Sequence, residues 1–177
     1  MSDARWMRLA LSLGARGLGR VWPNPAVGCV LVRGARVFGG GGTGPGWRPH
    51  AEVVALAQAG ELAHGACAYV TLEPCAHKSE RGPSCADITA KASLARVVVG
   101  CGDPDPRTNG KGIAKLRDAG IAVDLIDHAA SRASLAGFLT REEKQRPHVT
   151  LKLAVSADGF IGPASGKPVT ITGDIAR

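Results

Sequence analysis

The strongest constraint on the fold is an alternation. Short apolar runs and helical patterns follow one another along most of the chain. Val27-Gly28-Cys29-Val30-Leu31-Val32 is a continuous apolar run of strand length, as expected of a buried strand. Arg33-Gly34-Ala35 turns it into a second strand, Arg36-Val37-Phe38-Gly39. Further strands are predicted over Ala68 to Leu72, Arg96 to Gly100 and Ile121 to Ile126. Helices are predicted over His50 to Gln58 with Gly60 as the stop, Cys85 to Leu94, Lys111 to Ala119 closed by Gly120, and His128 to Gln145. Ahead of these, Trp6, Leu9, Ala10 and Leu13 share one face of a helix over Asp3 to Arg16. This order gives an α/β fold whose sheet carries helices on both faces. Gly39 to Pro49, with six Gly and two Pro, is expected to be a mobile connection. It lacks the spacing and the Gly-Lys-Ser/Thr of a phosphate loop.

Length and composition narrow the function. A chain of 177 residues with 45% hydrophobic content holds one domain with a real core. Composition changes at Arg146-Pro147, which divides residues 1–146 from residues 147–177. The later segment opens with an alternating strand pattern, His148 to Val155, and a turn at Ser156-Ala157-Asp158-Gly159. It is expected to be the opening of a second domain. No apolar run is long enough to span a bilayer. Met1 to Arg20 lacks the apolar core of a secretory signal and is read as a core helix in preference to an Arg-rich transit peptide. Five cysteines, an odd number, argue against a disulfide scaffold and for free thiols in the cytoplasm. Cys29, Cys67 and Cys101 lie in apolar runs and are expected in the core. The formal charge of +7 is scattered, and aromatic residues make up only 4% of the chain. Both facts argue against a stacking platform for nucleic acid.

The chemistry concentrates in His50-Ala51-Glu52, Pro74-Cys75 and Cys85. One imidazole and two thiols make three ligands for a tetrahedral zinc ion, one per chain. A structural site usually takes four protein ligands, so three leave a position for water, whose pKa zinc brings to roughly 7. His50 and Cys85 each open a predicted helix, where the positive helix end favours a thiolate. Glu52 stands two residues from His50, close enough to accept the water's proton without being a ligand. Taken singly, each residue is as easily a helix-end histidine, a surface charge or a core thiol. Their shared order is the one that zinc nucleobase deaminases use, although nine residues separate Cys75 from Cys85 where the usual motif has two. Asn24 between two prolines, and Asp103 and Asp105 before prolines, are plain turn formers on local grounds.

Beyond the site, the chain resembles the deaminase half of the bifunctional deaminase–reductase of riboflavin biosynthesis. The likeness rests on Pro23-Asn24-Pro25-Ala26-Val27-Gly28-Cys29-Val30, Pro49-His50-Ala51-Glu52, Tyr69-Val70-Thr71-Leu72-Glu73-Pro74-Cys75-Ala76-His77, Arg81-Gly82-Pro83-Ser84-Cys85 and Asp103-Pro104-Asp105-Pro106. The resemblance implies a cytidine-deaminase-like three-layer α/β/α sandwich around a five-stranded mixed sheet. It implies zinc on His50, Cys75 and Cys85, Glu52 as proton shuttle, and substrate contacts from Asn24, Asp103 and Asp105. It places the ribose phosphate at Arg81, with Lys78 nearby. The implied reaction is hydrolytic deamination of 2,5-diamino-6-(ribosylamino)-pyrimidinone 5′-phosphate, a phosphorylated small molecule, with no membrane or nucleic-acid partner and with a homo-oligomer open. Relatives often carry Asn where this chain has Asp105, and one residue fewer between the cysteines. Leu151 to Gly159 resembles the first strand of the family's reductase domain, so NADPH is expected only where the rest of that domain is present. Two alternatives remain: a nucleoside or transfer-RNA base deaminase of the same fold, and a non-catalytic basic zinc module that binds RNA.

Overall fold

The computed structural model describes residues 2–78 and 82–167. In chain order its elements are α1 (Asp3–Ala15), β1 (Gly28–Arg33), β2 (Arg36–Gly42), α2 (Ala51–Ala59), β3 (Cys67–Val70), α3 (Cys85–Lys91), β4 (Arg96–Val99), α4 (Lys111–Asp118), β5 (Ala122–Leu125), α5 (Ala129–Ser134) and α6 (Ala136–Lys144). Residues up to Pro147 form one compact unit, and His148 opens another.

In the first unit the five strands form one mixed sheet in the order β2-β1-β3-β4-β5. β1 runs antiparallel to β2 and β3, while β3, β4 and β5 are parallel. Side chains alternate across the pleat and build two cores. Cys29, Leu31, Ala68, Val70, Val97 and Val99 face one core, which also takes Ala51 and Ala55 of α2 and Leu116 of α4. Val30, Val32, Tyr69 and Val98 face the other, with Trp6, Met7 and Ala10 of α1. Helices therefore cover both faces of the sheet, which is the expected cytidine-deaminase-like sandwich. Cys29 and Cys101 are buried as expected, and Cys67 is half-buried.

The glycine-rich stretch departs from expectation. Gly39 to Gly42 continues β2 and is not a mobile connection. Its glycines let helices lie directly on the strand. A Cβ on Gly39 would stand 2.1 Å from the Ala55 carbonyl oxygen, and one on Gly41 would stand 2.5 Å from Val54 Cβ, both on α2. On the opposite face a Cβ on Gly42 would meet the Leu13 carbonyl oxygen of α1 at 2.7 Å. Sequence reading took glycine as chain freedom, whereas here it serves close approach.

The region expected to be one helix over His128 to Gln145 is two, α5 and α6, parted at Leu135. Ser134 Oγ bonds the Ser131 carbonyl at 2.9 Å, a local side-chain bond that competes with the helix ladder. In the second unit no strand occurs among the described residues, so the strand expected over His148 to Val155 is absent there. Period-two alternation names the face a strand would bury but supplies no neighbouring strand to bond. The turn at Ser156 to Gly159 is present, closed by the Gly159 N–H on the Ser156 carbonyl at 2.9 Å.

Candidate active site

The site gathers where the two central parallel strands end. In α/β sheets the carboxyl ends of such strands are the usual place for a ligand crevice. The chain leaves β3 through Thr71 to Pro74 and delivers Cys75, and it leaves β4 through Gly100 to Gly102 and delivers Asp103. His50 occupies the N-cap position of α2, and Glu52 lies in that helix's first turn, 6% exposed. Cys85 is the first residue of α3, whose N-cap Ser84 accepts the Asp87 N–H at 3.1 Å.

His50, Cys75 and Cys85 converge, with their ligating atoms all within 4.8 Å of one another. His50 Nδ1 lies 3.2 Å from Cys85 Sγ and 3.7 Å from Cys75 Sγ. The Cys85 N–H donates to Cys75 Sγ at 3.2 Å. The other ring nitrogen, Nε2, stands 3.3 Å from the Asn24 side-chain amide. Two sulfurs and one imidazole nitrogen at this separation are a donor set that suits zinc. A second-sphere group fixing the far nitrogen is usual for a ligating histidine. Among the described residues this is the group of His, Cys, Asp and Glu side chains placed to hold a metal ion.

The electrostatics are those of a closely packed, largely buried cluster. A hydrogen bond from the Cys85 thiol is the largest influence lowering Cys75, to about 4, and His50 adds to it. The same contact pushes Cys85 upward, so Cys75 is the more readily ionised of the two. The hydrogen bond to Cys75 raises His50. Burial raises Glu52 to about 7, against the opposing charge of His50. A carboxyl poised there can both take and give a proton near neutrality.

A cavity of about 420 Å³ opens beside these groups. Asn24, Asp103 and Asp105, the residues expected to contact substrate, line it. Arg81 lies outside the described residues, so its expected place at the phosphate finds no description here; Lys78 is exposed. The turn-forming roles of the two aspartates are also present, because Asp103 Oδ1 accepts the Asp105 N–H and Asp105 Oδ1 accepts the Arg107 N–H, both at 2.9 Å. A carboxylate oxygen tied to backbone leaves a second oxygen for other work. Burial raises Asp103 to about 7.

Sequence reasoning missed several residues of this wall. Glu73 is 3% exposed, and its carboxylate accepts four backbone N–H groups, from Asp103 at 3.3 Å, Gly110 at 3.0 Å, Gly112 at 3.0 Å and Ile113 at 3.1 Å. It caps α4 and pins the Asp103 loop beside Cys75. Gly112 lets that helix end close on the site, since a Cβ there would meet the Pro74 carbonyl at 2.0 Å. Arg107 and Arg141 also reach the cavity, as do Arg48, His77, Phe138 and Glu142. No local signal marks these residues, because α6 and the loop after β4 reach the cavity only through the fold.

Comparison with known proteins agrees with this geometry. The RibD riboflavin biosynthesis protein of Haemophilus influenzae is 48% identical over 177 residues, 99% of this chain and 47% of that protein. Form 1 of RibD from Acinetobacter baumannii superposes with a TM-score of 0.84 at 47% identity, covering 98% of this chain and 49% of that one. A diaminohydroxyphosphoribosylaminopyrimidine deaminase/5-amino-6-(5-phosphoribosylamino)uracil reductase from Thermotoga maritima gives 0.85 at 36% identity, covering 96% and 49%. The chain spans about half the length of the relatives it matches. The family model of the cytidine and deoxycytidylate deaminase zinc-binding region matches residues 1–101, a stretch that includes His50, Glu52, Cys75 and Cys85. The chain therefore belongs to the cytidine and deoxycytidylate deaminase zinc-binding family.

Proposed function

We propose that the chain hydrolytically deaminates the diaminopyrimidinone ribosylamine 5′-phosphate of riboflavin biosynthesis, giving the corresponding uracil and ammonia. The observation that carries this reading is the three-ligand cluster of His50, Cys75 and Cys85 with buried Glu52 beside it at a cavity mouth. The choice of substrate is supported by the likeness to the Thermotoga diaminohydroxyphosphoribosylaminopyrimidine deaminase and to the RibD riboflavin biosynthesis proteins. His50, Cys75 and Cys85 would hold one zinc ion, which when bound supplies an acidified water at neutral pH. Glu52 takes one proton from the attacking water and passes it to a ring nitrogen as the C–O bond forms, then takes the remaining hydroxyl proton and hands it to the amine as the C–N bond breaks, releasing ammonia. Asn24 keeps His50 oriented through Nε2 and, with Asp103 and Asp105, faces the substrate across the cavity. Arg81 is assigned to the phosphate, so Arg81→Ala should raise KM more than it lowers kcat. We assign the reaction to the cytoplasm, a reading that the unpaired cysteines support.

We assign residues from 147 onward to the start of a reductase-like domain, in which NADPH would bind only with the remainder present. The test of the deaminase reading is ammonia release by the zinc-loaded chain from the diaminopyrimidine ribotide, from cytidine and from RNA. Release from the ribotide alone is expected. Turnover of cytidine or RNA at a comparable rate would replace this reading with that of a general base deaminase.

A further inference from the structure

The cavity must accept a phosphate if the reading above holds, yet carboxylates crowd its wall. Glu52, Glu73, Asp103, Asp105 and Glu142 all line it. Their charges are dealt with one by one. Glu73 is consumed by four backbone N–H groups. Glu52 is buried among the His50, Cys75 and Cys85 side chains, and burial of Asp103 raises it to about 7. Glu142 lies against Arg141 at 2.7 Å, and Asp105 lies against Arg107 at 2.5 Å.

The arginines of the wall differ in how they are employed. Arg141 donates to Glu142 and to the Pro23 carbonyl at 2.8 Å, and it stacks over the rings of Trp22 at 5.1 Å and Phe138 at 5.4 Å. It is fixed as a structural tie between α6 and the Pro23 loop. Arg48 acts electrostatically on His50, which places its charge toward the reacting end. A phosphate on the far end of a ribose belongs away from that end. Arg107 instead acts on Asp105 and Asp103 in the loop after β4 and on Glu142 of α6. Its Nε donates to both Asp105 oxygens, at 3.0 and 3.1 Å, and its own N–H donates to Asp105 at 2.9 Å. One carboxylate thus fixes both the backbone and the guanidinium, yet the Arg107 side chain remains 67% exposed. A guanidinium has five N–H donors, and one carboxylate edge engages only part of them.

We propose that Arg107 is a phosphate-contacting residue of this cavity and that Asp105 is the positioning residue that presents it. The proposal rests on the ribotide reading above and adds a second cation, from the loop after β4, to the Arg81 assigned there. Asp105 also needs Arg107, because an unpaired carboxylate on that wall would repel the phosphate.

The test uses the zinc-loaded full chain and two readouts. The first is the affinity for ribose 5-phosphate, measured by calorimetry without turnover. The second is KM and kcat for the ribotide and for its dephosphorylated counterpart. Arg107→Ala should weaken ribose 5-phosphate and raise the ribotide KM by about 10- to 100-fold, the range of a charge-assisted contact, with kcat much less changed. The KM of the dephosphorylated compound should move by less than about twofold. Asp105→Asn placed on Arg107→Ala should recover part of the lost affinity, because it removes the unpaired charge. Arg107→Lys should recover less than the arginine, since it restores charge without the fork. Unchanged ribose 5-phosphate affinity in Arg107→Ala, an equal loss for both pyrimidines, or no binding of ribose 5-phosphate by the parent chain would each overturn the proposal. Arg107-dependent binding of ribose 5-phosphate without ammonia release from the ribotide would leave the anion site standing and remove the deaminase substrate instead.

Discussion

Glu52→Gln separates metal holding from proton transfer. Gln has nearly the size of Glu but cannot accept a proton, so the variant should keep zinc and lose about 10²- to 10⁴-fold in kcat. Cys75→Ala and Cys85→Ala should instead lose the metal, since each removes one of the three converging ligands. Metal analysis beside an ammonia assay checks both, and a zinc-loaded Glu52→Gln chain at parental rate would move the proton shuttle elsewhere. Asp103 gives a test by pH. Burial raises its folded-state value to about 7, above the ordinary carboxylate value of about 3.9. Between these values the native chain holds a proton that the unfolded chain has released, so this group's contribution to stability is present at low pH and is lost as pH rises through about 7. Asp103→Asn removes the loss and can keep the bond to the Asp105 N–H through its amide oxygen. Urea midpoints should therefore favour Asp103→Asn over the parent chain by more at pH 8 than at pH 5, and an identical difference at both would assign the proton elsewhere.

Among the elements, the site depends on how closely α2 lies on β2. His50 and Glu52 sit at the start of α2, and the helix can approach the strand only where Gly39 and Gly41 carry no side chain. Gly39→Ala places a methyl group 2.1 Å from the Ala55 carbonyl oxygen, and the helix must move. The expected cost is about 1–3 kcal/mol of stability, the range for overpacking a filled contact, with a fall in kcat as His50 and Glu52 shift. Gly102→Ala is the control, because nothing lies within 4 Å of its Cβ position, and its stability should change by less than about 0.5 kcal/mol. Equal denaturation midpoints for the two variants would show that α2 is not held by this contact. The α4 end follows the same logic, with Glu73 supplying the acceptors and Gly112 the room.

For the whole molecule, the first unit holds the sheet, both cores and every described residue of the candidate site, while the described part of the second forms no strand. A reductase needs a complete pocket to hold a nicotinamide against its substrate. This chain covers about half the length of the relatives it matches, one of which is described as a deaminase/reductase. Mixing it with NADPH and the deaminated product should therefore give no loss of reduced-nicotinamide absorbance. Oxidation that needs both the chain and the product would move the boundary of the second activity into these residues.

The reach of the sequence differs from residue to residue. Val27 to Val32 announces a buried strand because its apolar run needs no partner to be recognised, and the presence of five strands follows from such runs, whereas their order in the sheet does not. His50, Glu52, Cys75 and Cys85 announce a metal site because those side chains have few other reasons to share that order. Asn24, Asp103 and Asp105 needed a family resemblance as well, since each also makes sense as a turn former. Glu73, Arg107 and Arg141 had no signal, because their roles depend on groups that are distant in the chain, such as the N–H groups of Gly110 to Ile113 for Glu73 and Pro23 for Arg141. Gly39 to Gly42 was misread for the same reason: local sequence shows a missing side chain, and only packing shows the helix backbone that takes its place. Sequence determines local periodicity and the ligand set, which are properties of neighbours along the chain. Tertiary structure alone decides which loops meet at the strand ends, which carboxylates are neutralised there, and which cations remain to meet a ligand.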